Sequence, residues 1–184
     1  MNCCLSFDIF LSLILINTSW GVLLVDFEMK KKIGISYEEL NNWKDLSDHD
    51  QLLVEAAIKV RKSAYAPYSK FTVGASVLLS NGDIVTGSNQ ENIAYPSGLC
   101  AERVALFYAG ANYPDQYVDT ICIVAKGNLV PVETILSPCG GCRQVMAETE
   151  KRQKRPYRVI LVCQNDVTLV FNAATDLLPL AFGV

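Results

Sequence analysis

From residue 47 onward the spacing of apolar positions changes several times, and each change marks an element. Ser47, followed three residues later by Asp50, is a weak form of the capping box, and behind it Leu52, Leu53, Ala56, Ala57, Val60 and Ala64 recur on one helical face. A first amphipathic helix is therefore expected to end near Ala66-Pro67. Two extended runs, Val73 to Ser80 and Asp83 to Ser88, flank Asn81-Gly82, the strongest short-range hairpin signal, and a type I′ turn with both central residues at positive φ is expected. Leu99 to Ala109 predicts a second helix, Val118 to Ala125 a buried strand, Cys139 to Lys151 a third helix, and Arg158 to Cys163 and Val167 to Asn172 two further strands. No repeat, linker or low-complexity tract interrupts them. Helices alternating with five strands argue for one α/β domain, a three-layer α/β/α sandwich around a five-stranded mixed sheet.

The residues before this pattern behave differently. From Ile9 to Val25 the chain is an uncharged run rich in Leu and Ile, slightly short for a membrane span of roughly 20 residues. It has no positive region ahead of it and no small-residue cleavage site, and its basic cluster, Lys30 to Lys32, comes only after Asp26 and Glu28. These flanks argue against a signal peptide and weigh against a membrane anchor. Met29-Lys30-Lys31-Lys32 reads as an ordinary start. The expected organisation is an apolar extension over residues 1–28 that the mature protein lacks, a leader over 29–47, and the folded domain over 48–184.

Charge supports that division. Asp8, Asp26 and Glu28 account for the whole net charge of -3, so the chain from Met29 onward is formally neutral. A neutral domain has no field to hold nucleic acid by its phosphates, and a small uncharged partner suits it better. The basic run Lys151, Arg152, Lys154, Arg155 closes a helix, where positive charge meets the negative end of the macrodipole. His49 is the only histidine, so two-histidine metal motifs are excluded and the seven cysteines become the main soft ligands.

Those cysteines are not equivalent. Cys122 and Cys163 sit inside apolar strands, in Ile-Cys-Ile and Leu-Val-Cys, where a free thiol acts as a small hydrophobe. Cys100 opens one predicted helix, and Cys139 and Cys142 open another. Two intervening residues put the latter sulfurs within one helical turn, and Cys100 supplies a third if the two helix N-termini meet. Helix N-termini also favour the thiolate form. A structural zinc site is closed by four protein ligands, whereas a catalytic one keeps three and leaves a place for water. Three cysteines at helix starts, with no histidine near, read as the open kind. Three thiolates and a hydroxide would leave a zinc site at -2, a charge that Arg103 and Arg143 can temper by donating to sulfur. Glu102 lies two residues beyond Cys100, where it can exchange protons with a water without being a ligand. Two other readings use fewer of these residues: a dithiol redox pair of Cys139 and Cys142, which leaves Cys100 and Glu102 idle, and a closed structural zinc module, which lacks a fourth ligand.

The sequence resembles the small homotetrameric, zinc-dependent cytidine deaminases, through stretches that run from about residue 48 to Phe182. They are Tyr65-Ala66-Pro67-Tyr68-Ser69-Lys70-Phe71, Gly87 to Asn92, Tyr95 to Arg103, Ser137 to Gln144, and Leu178 to Phe182. The resemblance implies a cytoplasmic enzyme of pyrimidine salvage that converts cytidine and deoxycytidine to uridine and deoxyuridine and releases ammonia. It also implies Zn2+ as cofactor, a nucleoside as partner, neither nucleic acid nor membrane, and a homotetramer. By the same resemblance Cys100, Cys139 and Cys142 are zinc ligands, Glu102 the proton shuttle and Arg103 the arginine beside the thiolates. Phe71 would pack on the pyrimidine, Asn89 and Glu91 would hold the ribose, the Ala101 N–H would meet the base carbonyl and the Ser137 C=O the leaving ammonia. Phe182 would reach a neighbouring subunit's site. A deaminase of a modified cytosine nucleoside, such as a blasticidin-type enzyme, is the alternative on the same scaffold.

Overall fold

The computed structural model describes residues 16–18, 21–23 and 32–182, and divides the chain into two compact units, Met1–Gly34 and Ile35–Val184. In the first, β1 (Ile16–Thr18) and β2 (Gly21–Leu23) pair antiparallel, with Thr18 opposite Gly21. Most of the apolar run from Ile9 to Val25, and with it the anchor reading, lies outside the described residues. Among the described residues, no helix is long and apolar enough to cross a membrane.

The second unit holds a six-stranded sheet in the order β3-β8-β7-β6-β4-β5. Its members are β3 (Glu38–Leu40), β4 (Thr72–Leu79), β5 (Ile84–Ser88), β6 (Val118–Lys126), β7 (Arg158–Val162) and β8 (Thr168–Phe171). Only β6 and β7 run parallel; every other pair is antiparallel. The five expected strands are thus joined by a sixth, which corrects the count. Glu38-Glu39-Leu40 is too short and too acidic to stand out by alternation. It is a strand because the open edge of β8 offers it backbone partners, with Tyr37 tilted against Phe171 at 5.4 Å between ring centroids.

Three helices cover the sheet: α1 (Asp48–Arg61) on one face, α2 (Ala101–Asn112) and α3 (Gly140–Gln153) on the other. The strand period of two divides the core accordingly. Ile121, Ile123, Val159, Leu161, Leu169 and Phe171 face α2 and α3. Their neighbours Cys122, Val124, Ile160, Val162 and Val170 face α1. In α1 the buried residues are Asp50, Leu53, Val54 and Ala57, whereas Leu52 is 55% exposed, so the buried stripe is rotated from the one expected. Leu52 and Val54 straddle Leu53, and only the sheet decides which of them turns inward. The helix also ends at Arg61, earlier than expected. Beyond it the Tyr65 N–H donates to Asn89 O at 3.0 Å and the Glu91 N–H to Tyr65 O at 2.8 Å, which pulls the chain toward the sheet.

The hairpin forms where expected but with a different turn. Leu79 N–H donates to Asp83 O and Gly82 N–H to Leu79 O, each at 2.9 Å, so three residues make the connection. Gly82 alone has positive φ, 88°, and Asn81 instead accepts the Asp83 N–H on Oδ1 at 3.0 Å.

Candidate active site

Cys100 and Cys139 are the N-cap residues of α2 and α3, both with extended backbone, and neither side chain caps its own helix. Cys142 lies one turn into α3. The two helix starts meet, so that the three sulfurs lie within 4.8 Å of one another, with Cys100 to Cys139 at 3.9 Å and Cys139 to Cys142 at 3.5 Å. Tetrahedral zinc, with each sulfur at about 2.3 Å, separates its sulfurs by about 3.8 Å. The Cys100 thiol is drawn down to about 5 by a hydrogen bond from Cys142, and further by Arg103 and Cys139, against the effect of burial. Cys142 is pushed up by that bond to Cys100, by burial, and by the charges of Glu102, Cys100 and Cys139. The donor set fits Zn2+ by spacing, softness and charge. Arg103 offers Nη2 to Cys100 Sγ at 3.8 Å and to Gly98 O at 3.5 Å.

Glu102, in the first turn of α2, is 5% exposed, and its Oε2 is buried without a hydrogen-bond partner. Burial pushes its carboxyl up to about 7, with the Cys100 charge adding to the rise. It shares with Cys100 and Cys139 a cavity of about 400 Å3. Phe71, Asn89, Glu91 and Ser137 also line it. Ala101 is fully buried, and its N–H is one of the first-turn amides of α2 that have no acceptor within the helix.

Asn89 and Glu91 both hold the segment opposite. Asn89 accepts the Val73 N–H at 2.8 Å and donates Nδ2 to Phe71 O at 2.9 Å. Glu91 Oε2 accepts the N–H groups of Tyr68 at 2.9 Å and Ser69 at 3.3 Å, and Oε1 accepts the Ser69 hydroxyl. Phe182 is not in this cavity. The residue is 85% exposed, while its N–H and C=O bond the Gln144 side chain at 3.2 and 2.8 Å. A second cavity, about 440 Å3, lies at the far ends of α2 and α3 beside Leu106, Tyr113, Tyr117 and Arg152. Among the described residues the one group of ligand-spaced cysteines is at the first cavity, where the chemistry is placed.

Residues 47–157 match the family described as the cytidine and deoxycytidylate deaminase zinc-binding region. The chain belongs to that family. A cytidine deaminase of Halalkalibacterium halodurans is 39% identical over 132 residues, 72% of this chain and 92% of the relative. One from Mycobacterium tuberculosis is 37% identical over 131 residues, 70% of this chain and 85% of that protein. The crystal structure of cytidine deaminase from Burkholderia pseudomallei superposes with a TM-score of 0.60 at 38% identity, covering 74% of this chain and all of that one.

Within this deaminase-family chain, one side chain departs from its expected partner and another gains one. Arg143 donates to no sulfur among the described residues: Nε goes to Pro138 O at 2.8 Å, Nη1 to Leu177 O at 3.2 Å and Nη2 to Ser137 Oγ, so it braces the loop that carries Ser137 and Cys139. Cys163 is buried as expected, but its sulfur also accepts the Leu136 N–H at 3.3 Å. Next to it, Gln164 accepts the Gly127 N–H at 2.9 Å and donates to Val130 O at 3.3 Å, so this pair secures both ends of a cavity wall. Sequence reasoning missed Gln164 altogether, because a glutamine after a strand carries no signal of its own.

Proposed function

We propose that the protein hydrolyses cytidine and deoxycytidine to uridine and deoxyuridine with release of ammonia, a step of pyrimidine salvage. The observation that carries this reading is the buried, unpartnered Oε2 of Glu102 in the cavity walled by Cys100 and Cys139. Cys100, Cys139 and Cys142 would hold Zn2+, which when bound supplies a water nucleophile active near neutral pH. Glu102 accepts the proton of that water and passes it to N3 of the base. It delivers the second proton to the departing amine, so that water and cytidine balance as uridine and ammonia. Arg103 offsets thiolate charge, the Ala101 N–H receives the base carbonyl, and the Ser137 C=O accepts from the leaving ammonia.

Phe71 packs on the pyrimidine. A carboxylate has about four acceptor sites, and Tyr68 and Ser69 occupy three of those on Glu91. One remains, enough for a single ribose hydroxyl. Cytidine and deoxycytidine share the 3′-hydroxyl, so this count favours a site that accepts both. The exposed Leu180 and Phe182 support assembly as a homotetramer in which Phe182 enters a neighbour's site, and a nucleoside substrate suits a cytoplasmic enzyme.

Loss of ultraviolet absorbance on separate addition of cytidine, deoxycytidine and cytosine tests the reading. Both nucleosides should react and the free base should not; reaction of cytosine alone would remove the ribose assignment. Glu102→Gln should retain zinc and lose at least about 10⁴-fold in turnover, the upper end for a general acid-base group that acts twice. Cys100→Ala should lose the metal itself. A wild-type rate in the first variant, or full zinc occupancy in the second, would overturn the mechanism.

A further inference from the structure

We propose that Ser69 is a positioning residue that aims Glu91 at the ribose and couples it to Phe71; this rests on the ribose and base contacts proposed above. The Ser69 hydroxyl lies between two groups. The Phe71 N–H donates to its oxygen at 3.0 Å, and an N–H can only donate, so the hydroxyl hydrogen is free for one acceptor. That acceptor is Glu91 Oε1. The direction of the bond is therefore determined by connectivity, and a single hydroxyl links the carboxylate to the backbone of the aromatic.

The surroundings reinforce this arrangement. Ser69 also gives its own N–H to Glu91 Oε2 at 3.3 Å, beside that of Tyr68 at 2.9 Å, so three donors approach the carboxylate from one side. Lys70, between Ser69 and Phe71, has φ of 55°, a left-handed conformation that lets the chain double back so that the Phe71 N–H meets the Ser69 oxygen. The Glu91 carboxyl is held below its ordinary range chiefly by the Ser69 hydroxyl, with the Tyr68 and Ser69 amides and Lys70 assisting against burial. Without the hydroxyl, Oε1 loses its internal donor, and the carboxylate can rotate about its last torsion. The acceptor site that should face the ribose then has no defined direction.

The test compares 2′-deoxycytidine with 2′,3′-dideoxycytidine, which differ only in the 3′-hydroxyl, on wild type, Ser69→Ala and Ser69→Thr. Wild type should prefer the 3′-hydroxyl substrate. Ser69→Ala should reduce that preference roughly tenfold, the scale of one charge-assisted hydrogen bond, through KM with kcat within about twofold. Ser69→Thr, which retains a hydroxyl, should restore it. If wild type shows no preference, the ribose role of Glu91 falls. If wild type discriminates and Ser69→Ala discriminates equally, or loses the same factor on both substrates, Glu91 keeps its role and the positioning role of Ser69 is overturned. Should Ser69→Ala fail to fold, as read by its melting temperature and zinc content, Ser69→Cys keeps the shape with a weaker donor. The same ratio then decides: a reduced preference supports the proposal and an unchanged one overturns it.

Discussion

Gly87→Ala probes how strand β5 positions the start of α2. A Cβ at Gly87 would lie 2.6 Å from Ala105 N, 2.8 Å from Ala101 O and 3.0 Å from Val104 Cβ. Ordinary contact begins near 3.4 Å, and the two nearest atoms are helix backbone, which cannot swing aside. The first turns of α2 and the edge strand β5 must therefore separate by about 0.8 Å, and Cys100, Ala101 and Glu102 shift relative to the sheet. Overpacking of this kind costs about 1–3 kcal/mol. For a unit of this size that lowers the melting temperature by roughly 2–12 °C at about 2–4 °C per kcal/mol. The catalytic loss should be larger in proportion, because misplacing reacting groups by about 1 Å costs on the order of 100-fold. Melting followed by circular dichroism, zinc content and kcat/KM for cytidine measure the three effects on one preparation. Wild-type stability together with wild-type kcat/KM would refute the reasoning, since the methyl group fits only if α2 or the edge strand β5 shifts.

Two further substitutions test the frame around the site. Arg158 pairs in bidentate fashion with the buried Asp50 at 2.9 and 3.0 Å, joining the start of β7 to α1, and Arg158→Met leaves that carboxylate without its cation. Because the arginine is partly exposed, the expected loss is about 2 kcal/mol rather than the 3–5 of a fully buried pair, with little change in kcat; urea unfolding would read it, and an unchanged midpoint would contradict it. Deletion of residues 1–34 gives the reference melting temperature of the second unit. Deletion through Leu46 should cost roughly 3 kcal/mol or more, because it removes β3, the Tyr37 contact with Phe171 and the burial of Leu46; equal melting temperatures for the two truncations would show that the added edge strand contributes nothing.

Much of this protein was determined by features that act over a few residues. The change from helical to strand spacing placed three helices and five strands close to their observed bounds, because amphipathic periods follow from backbone geometry alone. Cys139-Gly-Gly-Cys142 at a helix start fits a metal by spacing alone, and Glu102 two residues after Cys100 falls in the first turn of α2. Other features depended on partners distant in sequence. The sixth strand exists because β8 has a free edge 130 residues further on. The inward face of α1 was chosen by the sheet, which took Val54 over Leu52. Arg143 was drawn to the carbonyls of Pro138 and Leu177 instead of a sulfur, and Ser69 was set against Glu91, 22 residues away. Local sequence could supply the chemical groups of the site, since residue type and spacing are written in it. Which hydrogen bonds aim those groups was decided by the tertiary structure, because each such bond needs two segments that only the folded sheet brings together.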